Sequence, residues 1–149
     1  MNAEKFWLGW LKTTMIILIV IGGFLTFFSY WINSVFLDVR IDAVFLSESI
    51  PGEILGPLKN WYTSLLGAVM LGWGFSMLYV IDNPLRQREK WAWRSIFYPV
   101  LFWYLLDSGV SAYFGVIFNV IINTILFLQI MAPLLFLRNI LFEPVKATI

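Results

Sequence analysis

The sequence predicts an all-α membrane protein, an antiparallel bundle of four transmembrane helices. Composition, four long apolar runs and the distribution of basic residues predict this class. Of the 149 residues, 60% are hydrophobic and 13% are charged, and the mean hydropathy is +0.82. A soluble domain carries about 25% charged residues, and a short chain has too little interior to bury so much apolar surface. Contact with lipid must therefore replace burial for many of these side chains.

The first apolar run covers residues 13–35 and contains no charged residue. It exceeds the roughly 20 residues that a helix needs to cross a bilayer. It also continues far beyond the apolar segment of a cleavable signal peptide, which is about 7–15 residues long. We therefore expect a transmembrane helix that the mature protein retains.

Three further runs complete the predicted membrane domain, which is a single unit over residues 1–149. The second run covers 61–81 and ends at "DNPLRQREK", where Pro84 and the charges stop a membrane helix. The third covers 93–111, with Pro99 near its start, where a missing N–H costs least. The fourth covers 115–137 and ends at Arg138. One long loop, about 36–60, joins the first two.

The third and fourth runs are joined by "SGVSAYFG", which is short and uncharged. Short connections place consecutive helices side by side in antiparallel directions. A single helix over 93–137 would be about 67 Å long at 1.5 Å per residue, roughly twice the thickness of the hydrocarbon core. The sequence therefore predicts a helical hairpin here.

The basic residues predict the orientation of the four spans. Eight of the ten lie on one side: Lys5, Lys12, Arg86, Arg88, Lys90, Arg94, Arg138 and Lys146. The other side has Arg40 and Lys59. Because cytoplasmic loops carry the excess of Lys and Arg, both termini are predicted to be cytoplasmic and the 36–60 loop external. We expect a multi-pass protein of the inner, cytoplasmic membrane.

The chain contains no Cys and no His, which excludes several kinds of chemistry. Disulfide exchange needs a pair of cysteines. Haem b and most zinc, copper and non-haem iron sites need His or Cys ligands. We therefore predict no metal and no cofactor. The basic segment "NPLRQREKWAWR" fits a loop that lies at an anionic leaflet, so no nucleic-acid partner is expected.

The second run carries a small residue at every fourth position, namely Ser64, Ala68, Gly72 and Ser76. Residues at this spacing share one face of a helix, and small side chains let a second helix approach closely. The pattern predicts that this face packs against another helix of the bundle.

Polar residues of the hairpin form the candidate site. Asp107 and Ser111 share a face of the third helix, and Asn119 and Asn123 share a face of the fourth. Further polar residues lie at the outer ends of the first two helices: Ser29, Asn33, Ser34, Asn60, Thr63 and Ser64. The outer half of the bundle is therefore predicted to have a polar lining, with Gln129 and Ser76 as exceptions deeper in. This distribution predicts a pocket that opens to the outside.

Two interpretations of the site stay open at this stage. An ionisable residue inside a span is costly and usually marks a functional site, with Arg40 and Lys59 as the available basic partners of Asp107. Alternatively, the polar residues only form hydrogen bonds between helices, or Asp107 caps the hairpin turn.

Two stretches, "LGWGFSMLYVIDNPLRQREKWAW" and "LLDSGVSAYFGVIFNVIINT", carry a family resemblance. A Gly-Trp-Gly helix leads to a Pro-Leu-Arg and Trp-Ala-Trp loop, and then to an Asp-x-Gly hairpin with two Asn. Over residues 61–138 the chain resembles small bacterial four-helix integral membrane proteins of about this length, whose activity is uncharacterised. The resemblance implies a four-helix bundle in a bacterial inner membrane and no particular activity.

A broader likeness links the chain to DoxX-like and emopamil-binding-type bundles. The latter use His and acidic residues in their pocket, whereas this chain has no His. The small multidrug-resistance proteins also have four short helices, but they carry an acidic residue in the first helix. The first run has none, which argues against their mechanism.

The predicted function is binding. A small or lipid-like ligand, or a partner subunit, would occupy the outer pocket through Asp107, Ser111, Asn119 and Asn123, in a homo-oligomer or a larger membrane complex. One alternative is an enzyme acting on a lipidic substrate with Asp107 as its acid or base, although a lone carboxylate is a thin catalytic set. The other is an oligomeric proton- or cation-coupled transporter, although Asp107 lies away from the midplane where such sites occur.

Overall fold

The computed structural model of the protein describes residues 3–37, 40, 44 and 52–142, with residues 52–54 described by backbone alone. This part of the chain is helical and contains no strand. The four long helices are α1 (Ala3–Phe27), α2 (Gly52–Val80), α3 (Lys90–Tyr113) and α4 (Ile117–Phe142). A short helix, Ser29–Ile32, and a π-helical turn, Asn33–Leu37, extend α1, and a second π-helical turn, Ile81–Leu85, extends α2.

Three segments in the described part of the chain are long and apolar enough to cross a membrane: Ala3–Phe27, Leu55–Leu85 and Ile117–Phe142. These helices confirm the predicted class, an all-helical membrane protein. The remaining helix, α3, has 24 residues. It is less apolar than the others because its first turns carry Lys90 and Arg94 and its second half carries Asp107.

Large apolar side chains cover the outside of the helices. Phe27 is 77% exposed, Leu106 is 68% exposed and Val69 is 64% exposed. Soluble monomers rarely present contiguous apolar patches larger than a few hundred Å². The exposed surface is therefore suited to contact with lipid tails.

The helix α2 begins at Gly52, well before the predicted start at residue 61. Pro57, Lys59 and Asn60 precede the apolar run but lie within the helix. Lys59 is buried, and Asn60 accepts a hydrogen bond from Asn33. The predicted 36–60 loop is correspondingly shorter, and its residues 38–39, 41–43 and 45–51 lie outside the described part of the chain.

Two glycines set the contact between α1 and α2. A Cβ atom on Gly67 would lie 2.6 Å from both the Gly22 carbonyl oxygen and the Thr26 amide nitrogen. Because these atoms belong to the backbone, the two helices touch main chain to main chain, as small residues permit in membrane bundles. Gly74 makes a similar contact with the Ile19 side chain.

The stripe predicted to pack against another helix is not packed by the residues that the structure describes. Ala68, Gly72 and Ser76 are exposed, Ser64 is half-buried, and a Cβ atom on Gly72 would meet nothing within 4 Å. The packed face of α2 instead carries Gly67, beside the predicted stripe. Adjacent residues point about 100° apart around a helix that has 3.6 residues per turn. Small residues occur on both faces of α2, and spacing alone does not distinguish the two faces.

A three-residue turn joins α3 to α4 and excludes a single long helix over 93–137. Gly115 has φ +75, a left-handed conformation that favours glycine. The Gly115 amide donates to the Ala112 carbonyl, and the Val116 amide donates to the Ser111 carbonyl at 2.8 Å. This pair of bonds is the Schellman pattern, which satisfies the last carbonyls of a helix.

Aromatic contacts hold the remaining helices together. The indole of Trp93 is buried and donates to the Leu134 carbonyl across α3 and α4 at 2.7 Å. Trp7 stacks on Phe136 with ring centroids 4.4 Å apart, which joins α1 to α4. The pairing of Trp10 with Gln129 continues this contact deeper along both helices.

Buried side chains divide between the two ends of the molecule. Apolar core residues lie toward the end that carries the N-terminus of α1: Leu11, Met15, Leu18, Met77, Ile81, Leu85, Ile96, Val100, Ile130, Leu134 and Leu137. Most buried polar residues lie toward the opposite end: Asn33, Lys59, Thr63, Ser108, Ser111 and Asn123. The candidate site belongs to this polar end.

Two ion pairs close the apolar end. Lys12 contacts Asp82 at 2.8 Å, and Arg88 makes two hydrogen bonds to the Glu4 carboxylate. The hydrogen bond and the charge of Glu4 raise the pKa of Arg88 above its ordinary value. Any stabilisation from this raised pKa is complete at neutral pH and is lost only as strongly alkaline pH removes the Arg88 proton.

We expect Gly67→Ala to destabilise the protein by about 1–3 kcal/mol, because the added methyl overpacks a contact between two backbones. The control is Gly72→Ala, which adds the same methyl to the same helix in open space. Thermal unfolding in detergent measures both variants. Equal unfolding temperatures for the two variants would contradict the Gly22–Gly67 contact.

Candidate functional site

The candidate site is centred on the carboxylate of Asp107, about two turns before the end of α3. Asn119 and Asn123 of α4 both donate through their side-chain nitrogens to its Oδ1 atom, each at 2.8 Å. The Schellman turn reverses the direction of the chain, so the first turns of α4 lie beside the last turns of α3. This arrangement brings the two amides to the carboxylate. The structure thus brings together the carboxylate and both amides that the sequence singled out.

Two serines complete the cluster. Ser111 donates to Asp107 Oδ1 at 3.3 Å and accepts a hydrogen bond of 2.8 Å from Asn119. Ser108 lies 3.5 Å from the Asn123 nitrogen. Both serines and Asn123 are buried, whereas Asp107 and Asn119 are partly exposed. We call these five residues the Asp107 cluster.

Sequence reasoning missed Ser108, although a signal for it exists. It follows Asp107 directly and lies three residues before Ser111, so it adjoins the face that those residues share. A second contact that was missed joins the hydroxyls of Tyr104 and Thr124 at 3.1 Å, one turn further from the hairpin. The Tyr104–Thr124 contact shows that polar pairing between α3 and α4 continues beyond the cluster, away from the hairpin turn.

No basic residue in the described part of the chain forms an ion pair with Asp107. Arg40, one of its two predicted partners, instead lies over the rings of Phe36 and Phe118, at 4.6 Å and 5.7 Å from their centroids. The other, Lys59, is buried on α2. Neutral amide and hydroxyl donors therefore stabilise the carboxylate in place of a cation.

The donors all approach one oxygen of the carboxylate. Asp107 Oδ2 has no donor among the described residues. Every fully buried side-chain nitrogen or oxygen in that part of the chain has a partner, so Oδ2 is not fully buried. The side-chain carbonyl oxygens of Asn119 and Asn123 likewise accept no hydrogen bond from the described residues. The cluster consequently pairs the side-chain nitrogens of Asn119 and Asn123 internally and keeps hydrogen-bond acceptors available.

Three of the other predicted polar residues form a separate network. The Asn33 side chain donates to Asn60 at 2.7 Å and accepts from Thr63 at 3.0 Å, which joins the π-helical turn to α2. Ser34 bonds to the Trp31 carbonyl. No hydrogen bond between described residues links this network to the Asp107 cluster. The polar groups of α2 thus pair with those of the π-helical turn after α1, and the polar groups of α3 pair with those of α4. The sequence had predicted one polar lining shared by all four helices.

The outward-facing pocket predicted between these residues stays a prediction. At 2.8 Å the amides of Asn119 and Asn123 touch the carboxylate, so no space for a ligand lies between them. Two grooves occur elsewhere. One of about 520 Å³ lies between α1 and Gln129, and an apolar one of about 300 Å³ lies at the end of α1. A ligand of the Asp107 cluster would bind at its open edge, against Oδ2.

Comparison of the chain with protein-family models, with curated proteins and with solved structures finds no match. The resemblance to small bacterial four-helix membrane proteins, to DoxX-like bundles and to emopamil-binding-type bundles therefore stays a prediction. Arguments about function rest on the geometry of the site.

We expect Asp107→Leu to cost about 1–3 kcal/mol of stability, because it removes the main acceptor of two side-chain amides. Asp107→Asn should cost less, because its carbonyl oxygen continues to accept from Asn119 and Asn123. Denaturant or thermal unfolding in one detergent ranks the variants. A leucine variant as stable as the wild type would show that these hydrogen bonds contribute nothing.

Proposed function

We propose that the chain spans the membrane four times with both termini in the cytoplasm, and that the Asp107 cluster binds a hydrogen-bond-donating group on the outer side. The placement of eight of the ten basic residues supports this topology. The length of α3 supports it as well, since 24 residues extend about 36 Å. That length exceeds the roughly 30 Å of hydrocarbon.

The open acceptors of the cluster carry the proposal for its ligand. Asp107 Oδ2 and the two side-chain carbonyl oxygens of Asn119 and Asn123 accept no hydrogen bond from the described residues. The cluster contains one carboxylate and no cation. A complementary ligand therefore offers several N–H or O–H donors and a positive charge, as a primary ammonium group does.

The internal hydrogen bonds make this site suitable for binding. The amides of Asn119 and Asn123 fix the position of the carboxylate, so little side-chain freedom remains to be lost when a ligand arrives. A hydrogen bond to a charged group contributes about 1.5–3 kcal/mol, and a low local dielectric strengthens it. Two such bonds to Oδ2 are enough for a weak, selective site.

The ligand class has two sources in a membrane. One is a small or lipid-like molecule with an amine, such as an ethanolamine headgroup. The other is a Lys side chain of a partner subunit that packs on the exposed edge of α3 and α4. Both present the same ammonium chemistry to the same oxygen, and a lipid is the simpler probe of it.

We expect the purified protein to retain phosphatidylethanolamine in preference to phosphatidylcholine with the same acyl chains, as counted by native mass spectrometry. The two headgroups carry the same charges, but only ethanolamine has N–H donors. Asp107→Asn should abolish the preference, because it replaces an acceptor by an NH₂ donor at the open edge.

The matched control is Asp82→Asn, the same exchange at the opposite end of the molecule, where Asp82 pairs with Lys12. It should leave the preference intact. An equal preference in wild type and Asp107→Asn would contradict lipid amine binding. Proton flux in proteoliposomes that Asp107→Asn abolishes would favour the transporter instead.

The proposed topology predicts which residues a membrane-impermeant maleimide labels in intact cells. The native chain has no Cys, so each substitution introduces a unique thiol. Tyr113→Cys, in the exposed α3–α4 turn, should react from outside. Gln87→Cys, in the exposed segment between α2 and α3, should react only after the membrane is permeabilised. The opposite pattern would reverse the orientation, and labelling of both from outside would contradict four spans.

A further inference from the structure

A groove of about 520 Å³ runs along α1 at the end of the molecule opposite to the Asp107 cluster. Lys5 lies at its mouth, Gly9 and Thr13 follow along α1, and Ile17 lies at its inner end, with Gln129 of α4 on the facing side. Ile17 follows Lys5 by twelve positions, or about 18 Å of helix. The groove thus passes from a cation, through polar groups, to an apolar end.

Two polar side chains in the groove have no partner among the residues that the structure describes. The Thr13 hydroxyl and the Gln129 side-chain amide form no hydrogen bond with the described residues; the Gln129 backbone carbonyl accepts from the Trp10 indole at 3.1 Å. An unpaired polar group facing hydrocarbon costs free energy. A ligand that brings oxygen acceptors and donors to this depth would remove that cost.

The groove is held open by its own walls. The Trp10–Gln129 hydrogen bond fixes one wall, and the stacking of Trp7 on Phe136 holds α1 against α4 one turn nearer the terminus. Gly9 leaves the middle open, since a Cβ atom there would meet nothing within 4 Å. An elongated ligand can therefore lie along α1 at Gly9 with no change in the fold.

We infer that this groove binds an anionic phospholipid of the leaflet on the N-terminal side. The order of its groups matches the order within such a lipid. The phosphate and acidic headgroup contact Lys5, whose ammonium supplies the complementary charge. The glycerol and ester oxygens pass Gly9 toward Thr13 and Gln129, and an acyl chain continues past Trp10 to Ile17. This inference is independent of the function proposed for the Asp107 cluster.

Native mass spectrometry with phosphatidylglycerol and phosphatidylcholine of identical acyl chains tests the inference. The wild type should retain one phosphatidylglycerol more strongly than it retains phosphatidylcholine. Gly9→Leu places a side chain in the groove at a position where a Cβ atom meets nothing within 4 Å, so it should remove this adduct while the protein stays folded. Lys5→Gln should reduce the preference for phosphatidylglycerol about fivefold, the factor that one cation contributes near an anionic surface.

Matched controls separate this site from general lipid contact. Gly72→Leu adds the same side chain to another exposed helix face with open space, and Arg86→Gln removes another exposed cation near the apolar end. Both should retain the adduct as the wild type does. The inference is overturned if Gly9→Leu keeps the adduct, if Gly72→Leu loses it equally, or if Lys5→Gln and Arg86→Gln weaken it by the same factor.

Discussion

Hydrocarbon offers no hydrogen-bond partner, so a polar group within a membrane must find its partner inside the chain. The long helices meet this constraint for the backbone. Side chains meet it by pairing between neighbouring helices, as Asn123 does with Asp107 and Thr63 does with Asn33. Every fully buried side-chain nitrogen or oxygen in the described residues has a partner. These pairs join neighbouring helices to one another.

The same constraint explains the difference between the two ends of the molecule. One end packs apolar side chains and is closed by exposed ion pairs, while the other brings its polar groups together within each hairpin. Polar groups without a partner are the exception to this pattern. Asp107 Oδ2 at one end and the Gln129 amide at the other lack a donor or acceptor among the described residues. Both proposals concern these groups, because a ligand can supply the missing partner.

Predictions from the sequence were most accurate where they depend on residues that are close together in the chain. The apolar runs located the helices, and the four-residue spacings of Asp107 with Ser111 and of Asn119 with Asn123 identified side chains that the structure brings together. Such predictions could not identify contacts that depend on which other helix lies nearby. The stripe through Gly72 and the face through Gly67 both contain small residues, and only the position of α1 distinguishes them. Likewise, which polar residues pair is decided by which helices are neighbours.

The central claim is that two amides hold one oxygen of Asp107 while the other oxygen stays open to a ligand. An experimental structure in a lipid bilayer, at a resolution that shows headgroups, measures this directly. We expect Asn119 and Asn123 to lie within hydrogen-bond distance of Oδ1, and a non-protein group to lie within that distance of Oδ2. A protein donor bonded to Oδ2, or amides turned away from the carboxylate, would contradict the account.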